Sequence, residues 1–127
     1  MSLAGNSTNS YSASLTPAQR SRLEKALQAW VDAKSYRIPD TTLEQSAARM
    51  GTQSVILYRY FLEKGQDFRT WRSQLRIKDA QQELLAFPEE PASAIARRVG
   101  FTDRSNFTRQ FKAFTGLTPE LWRKIQK

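Results

Sequence analysis

The chain repeats itself, and the repeat is what most limits its fold. Ala47 is followed four residues later by Gly51, and Ala96 four residues later by Gly100. Six residues past Gly51 comes LYRYF (57–61), and seven past Gly100 comes FTRQF (107–111). Each block continues to a glycine, Gly65 or Gly116, and six residues later to a tryptophan, Trp71 or Trp122. Matching positions therefore lie about 50 residues apart. Self-similarity on this scale marks a duplicated supersecondary unit, and two copies are too few for a solenoid. Two similar subdomains are expected.

Each copy reads as helix, short turn, helix. TLEQSAARM (42–50) and PASAIARRV (91–99) supply the first helices, with Thr41 and Glu44 expected as a capping box for the earlier one. Ala47 or Ala96 is small where a second helix must cross closely, and the glycine supplies the backbone freedom of a tight turn. Between the copies, Phe68, Trp71, Leu75, Ala80, Leu84 and Leu85 recur at helical spacing without Pro or Gly. That stretch predicts a linker helix of about 18 residues, roughly 27 Å long, stopped by Pro88 and Pro91. Upstream, Thr16 is a good N-cap, Pro17 suits the first helical position, and Leu23, Leu27, Trp30 and Val31 form an apolar stripe. SYRIPD (35–40) reads as a connection. SVILY (54–58) is the only β-branched run, inside a repeat whose other copy reads as helix. The fold class is all-α, with a flexible lead or linker over 1–15, a first helix-turn-helix subdomain over 16–67, a linker helix over 68–87 and a second subdomain over 88–127.

On a wheel of about 100° per residue, Phe107, Phe111 and Phe114 share one side of the second unit's later helix. Ser105, Thr108, Arg109 and Lys112 lie opposite, with Arg104 at the edge. In the first unit Leu57 and Phe61 mark the buried side, while Val55, Tyr58, Arg59 and Leu62 face away and Gln53 and Ser54 stand at the entry. Both copies place an arginine two residues after the first buried residue. Arg suits guanine, Gln and Thr suit several bases, and a Val methyl surface suits thymine methyls. The aromatic residues Phe61, Phe107, Phe111, Trp71 and Trp122 are expected in the core rather than as stacking platforms.

Charge agrees with this reading. Twenty Lys and Arg against twelve Asp and Glu give a net charge of +8, which favours an anionic partner. The chain has no Cys and no His, which excludes disulfides, zinc fingers and any Cys or His nucleophile or base. No Gly-rich phosphate loop or paired-carboxylate constellation stands out, so an enzyme is the weakest class. RNA is disfavoured because side chains do not read the deep A-form major groove. The rival of another class is a basic helical protein-interaction module that docks an acidic partner without reading DNA sequence.

IARRVGFTDRSNFTRQFKAFTGLTPELWRK (95–124) resembles the C-terminal helix-turn-helix of the AraC/XylS family of bacterial transcription regulators. The matching residues are Ile95-Ala96, Gly100-Phe101, Asp103, Ser105, Phe107, Arg109, Phe111-Lys112, Gly116, Thr118-Pro119 and Trp122-Arg123. More loosely, the resemblance extends back to about residue 20. It implies a domain of seven helices with two helix-turn-helix units. It also implies base-reading positions at Gln53, Val55, Tyr58, Arg59, Arg104, Ser105, Thr108 and Arg109, with Lys112 on phosphate. The first copy departs from the pattern at Leu62, where a Lys is usual, at Ser46, where an apolar residue is usual, and in a segment from Phe61 to Gly65 that is one residue short. These departures leave two outcomes for the first unit, looser docking or a more apolar, T-rich half-site. The expected partners are double-stranded DNA and, for the whole regulator, RNA polymerase. No cofactor, metal or membrane is expected, and the location is the bacterial cytoplasm. This stretch is expected to be a monomer, and a full-length protein with a preceding sensing domain a dimer through that domain.

Overall fold

The computed structural model describes residues 14–39 and 41–126. They form seven α-helices: α1 Pro17–Asp32, α2 Leu43–Arg49, α3 Ser54–Glu63, α4 Phe68–Ala86, α5 Ala92–Arg98, α6 Arg104–Thr115 and α7 Pro119–Gln126. A 3-10 turn at Ser35–Arg37 follows α1, and no strand occurs among the described residues. The β-branched run Ser54–Tyr58 is helical, because burial of Leu57, Tyr60 and Phe61 on one face of α3 outweighs its local preference. The first 13 residues of the expected lead lie outside the described residues. Leu15, read as part of that lead, is only 4% exposed, and its N–H donates to Glu63 Oε2 at 2.8 Å.

Two compact units divide the chain. The first takes the residues up to Asp32 together with Thr42–Phe68. Its opening helix is capped reciprocally: Gln19 N–H donates to Thr16 Oγ1 at 3.1 Å, and Thr16 N–H donates to Gln19 Oε1 at 2.9 Å. Leu23, Leu27 and Trp30 of α1 are buried, as are Ala47 of α2 and Leu57, Tyr60 and Phe61 of α3. Phe68 closes this core, with its ring 5.5 Å from Phe61 and 5.8 Å from Trp30. The capping box of α2 lies one residue later than the sequence reading placed it. Thr42 Oγ1 accepts from Gln45 N–H at 3.1 Å, and Gln45 Oε1 accepts from Thr42 N–H at 3.0 Å.

The second unit takes Ala33–Thr41 and the residues from Arg69 onward. Ile77, Ala80 and Leu84 of α4 pack with Ile95, Val99, Phe107 and Phe111 in its core. Trp122 is half-buried against that core, its ring meeting Phe111 edge-on at 5.8 Å. Several residues of the expected stripes sit further out. Val31, Trp71 and Leu75 are half-buried, Leu85 is exposed, and Phe114, in the last turn of α6, is 37% exposed. Phe114 lines a shallow groove of about 320 Å³ with Gln74, Lys78 and Gln81, because the core ends at Phe111 one turn earlier.

A second buried stripe on α4 is polar. Arg72, Arg76 and Asp79 recur at helical spacing, and all three are buried. They hold the connection that precedes α2. Arg72 Nη1 donates to the carbonyl and the hydroxyl of Thr41 at 2.9 and 2.8 Å, which accounts for the one-residue shift of the cap. Arg76 donates to the carbonyls of Tyr36 and Ile38 at 2.6 and 2.9 Å. Asp79 accepts from the Tyr36 hydroxyl at 2.9 Å and from Arg37 Nε and Nη2 at 2.7 and 2.8 Å. Burial opposes ionisation of Asp79, but the bonds from Arg37 and Tyr36 outweigh it and hold the carboxyl below its usual range. Burial and the neighbouring Asp79 carboxylate together push the Tyr36 hydroxyl up to about 12.

Candidate nucleic-acid interface

Each unit builds one helix-turn-helix, α2 with α3 and α5 with α6, and the turns are made by the same hydrogen bonds. In the first, Gly51 N–H donates to Ala48 O at 3.0 Å and Thr52 N–H to Ala47 O at 2.9 Å. In the second, Gly100 N–H donates to Arg97 O at 3.2 Å and Phe101 N–H to Ala96 O at 2.9 Å. Both are Schellman terminations, which require a positive φ at the glycine, here 73° and 117°. Ala47 and Ala96, whose carbonyls close the turns, are buried. Small side chains there let the two helices of each unit approach. At Gly100 space matters as well, since an added Cβ would stand 2.9 Å from the Tyr36 carbonyl oxygen and 3.0 Å from that of Arg37.

The helix after each turn is anchored from one side. Phe107 and Phe111 fix α6, with Phe101 and Phe107 rings at 5.2 Å, while Leu57 and Phe61 fix α3. The opposite faces hold the residues singled out from the sequence. Gln53 is exposed at the N-cap of α3, without a side-chain cap bond. Val55 and Tyr58 are 42% and 55% exposed, and Arg59 is half-buried beside them. On α6, Arg104, Ser105, Arg109 and Lys112 are exposed and Thr108 is half-exposed. The two sets are gathered one on each unit's second helix.

Three features were not read from the sequence. Asp103 caps α6, its carboxylate accepting from Ser105 N–H at 2.9 Å, so the start of that helix is fixed. Asn106 Oδ1 accepts from Arg109 Nη2 at 2.9 Å, which orients the guanidinium along the outer face. The i, i+3 spacing of Asn106 and Arg109 was the available signal. Third, several arginines serve the second unit internally. Arg98 pairs with Glu83 at 2.7 Å and with Glu90, and Arg123 donates to the carbonyls of Leu84 and Phe87 at 3.0 and 3.2 Å. With Arg37, Arg72 and Arg76 these account for part of the basic excess, whereas Arg104, Arg109 and Lys112 stand on the outer face of α6.

Among the described residues no helix is long and apolar enough to cross a membrane, and no group of His, Cys, Asp or Glu is placed to hold a metal ion. Two helix-turn-helix units, each presenting the outer face of its second helix, define a DNA-binding module. A profile of the helix-turn-helix domain family matches residues 46–125. The transcriptional activator NphR of Rhodococcus is 33% identical over 85 residues, which are 67% of this chain and 25% of that protein. The chain thus spans about a quarter of the length of this curated relative. Among solved structures, the C-terminal domain of AraT, a response regulator from Geobacillus stearothermophilus, superposes with a TM-score of 0.69 at 28% identity, covering 87% of each chain. A Listeria innocua protein of unknown function superposes with a TM-score of 0.67 at 30% identity, covering 80% of this chain and 94% of that one. The chain belongs to this helix-turn-helix family, of the AraC type, whose members are DNA-binding transcription regulators and not enzymes.

Proposed function

We propose that the chain reads double-stranded DNA sequence-specifically, with α3 and α6 entering adjacent major grooves on one face of the duplex. The observation that carries this reading is the matched outer face. In each unit a buried Leu57 or Phe107 anchors the second helix, and an arginine, Arg59 or Arg109, follows two residues later on the other side. In this reading Gln53, Val55, Tyr58, Arg59, Arg104, Ser105, Thr108 and Arg109 meet base edges. The arginine fork matches guanine O6 and N7 bidentately, and Gln and Thr serve several bases. Lys112, further along α6, offers a point charge for a phosphate. The 19 residues of α4 span about 28 Å at 1.5 Å per residue, a scale suited to grooves about 34 Å apart. One chain then covers about two turns of DNA, and its target need not be a palindrome. In a longer regulator a preceding domain would sense an effector and dimerise, and RNA polymerase would be the further partner, all in the bacterial cytoplasm.

Selection of bound duplexes from a random pool, followed by footprinting, tests the proposal. Two protected patches about one helical turn apart on one face are expected. Arg109→Ala should then cost about 1–3 kcal/mol at the selected site and relax preference at one base step. Retention by DNA without any sequence preference would instead support a basic module that docks acidic partners.

A further inference from the structure

We infer that the two reading helices recognise chemically unlike half-sites, and that Leu62 with Val55 makes the first one thymine-rich by covering thymine methyl groups. This rests on the reading of α3 and α6 as groove-entering helices. Leu62 and Val55 are 55% and 42% exposed. Seven residues of helix turn through about 700°, so the two side chains point within about 20° of each other, two turns apart. Leu57, Tyr60 and Phe61 are buried and centre on the opposite side. Val55 and Leu62 therefore form the midline of the outer face, with Tyr58 and Arg59 on its flanks.

The same register in α6 holds Ser105 and Lys112. Across the matched positions the second helix carries three cations, Arg104, Arg109 and Lys112, where the first carries Ser54, Arg59 and Leu62. Charge-assisted contacts to phosphate and the bidentate contact to guanine both use cationic donors, which α3 lacks at two of these places. An exposed leucine and valine gain instead from an apolar surface, and in the major groove the thymine 5-methyl is the group that supplies one. The two side chains sit about 10.5 Å apart along the axis, more than the ~3.4 Å of a base step, so they meet different base pairs. The first half-site thus carries at least two thymines, whereas the second is read through hydrogen bonds and charge.

The test uses the selected duplex and replaces each thymine of the first half-site, one at a time, by deoxyuridine, which removes only the 5-methyl. At least two positions should weaken binding about threefold to fivefold each, the worth of about one methyl. In Leu62→Ala one of these sensitivities should fall below about twofold, and Leu62→Lys, which restores the charge of the second copy, should relax the thymine preference at that step. Two groove-spaced patches with no effect of deoxyuridine anywhere in the first would overturn the inference while leaving the duplex reading intact. Protection by the second unit alone would also overturn it. Loss of all sequence preference in the parent protein would overturn the duplex reading itself, a separate result.

Discussion

Gly51 and Gly100 occupy equivalent places in the repeat, yet their surroundings differ. Both have positive φ and both terminate a helix with the same pair of backbone hydrogen bonds. Beyond its chain neighbours, nothing stands within 4 Å of a Cβ added at Gly51, while at Gly100 it would press on Arg76 Nε at 2.6 Å and on two carbonyl oxygens. Gly51→Ala should therefore cost only the backbone strain, about 1–2 kcal/mol. Gly100→Ala adds overpacking against the backbone and should cost about 2–5 kcal/mol. Urea unfolding of the two variants measures the difference, and equal losses would mean that residues 36–37 yield to the new methyl. The turn glycines were legible from spacing because a helix-turn-helix needs a left-handed residue there. The crowding at Gly100 was not, since residues some 60 positions upstream create it. The capping box of α2 shows the same limit at closer range. Thr41 and Thr42 are both competent caps, but Arg72 engages the carbonyl and hydroxyl of Thr41 while Thr42 pairs reciprocally with Gln45.

The linker helix α4 carries two buried stripes about a quarter-turn apart. Ile77, Ala80 and Leu84 were legible because apolar periodicity announces a core face. Arg72, Arg76 and Asp79 were not, since such residues on a helix usually face water. They are buried because Tyr36, Arg37, Ile38 and Thr41, from what looks like a bare connection in sequence, lie against them and supply carbonyls, two hydroxyls and a guanidinium. Asp79→Ala would leave the Arg37 charge and the Tyr36 hydroxyl without their acceptor, a loss of about 2–4 kcal/mol. The pH dependence has a sign on each side. Asp79 is held below its usual value of 3.8, so its contribution is present above that pH and is lost as pH falls through the depressed folded value. Tyr36 is raised from 10.0 to about 12, so its contribution is full below 10 and is lost as pH rises toward 12. Stability measured by urea unfolding across pH should fall in both windows. In Asp79→Ala the acid-side fall should shrink, and an unchanged acid limb would assign it to other carboxylates.

For the whole molecule, a net charge of +8 says that an anionic partner is favoured but not which cations would meet it. The repeat resolved part of that question by setting Arg59 and Arg109 in one register, so the face of each second helix was legible before its exposure was known. The rest depended on tertiary contacts. Arg98 and Arg123 look as available in the sequence as Lys112, yet one is tied to Glu83 and Glu90 and the other to the carbonyls that end α4. Salt dependence separates the two groups, because each phosphate contact releases counterions and adds close to one to the slope of log K against log salt. Lys112→Ala should weaken binding to all sequences alike and flatten that slope by about one, with little change in unfolding free energy. Arg98→Ala should do the reverse, since it removes the hydrogen-bonded partner of both Glu83 and Glu90. Its unfolding free energy should drop by about 1–3 kcal/mol, while the salt slope of the folded protein stays within a few tenths of the parent. A flattened slope in Arg98→Ala, measured where the variant is fully folded, would place that guanidinium at the DNA backbone and enlarge the interface beyond the outer face of α6.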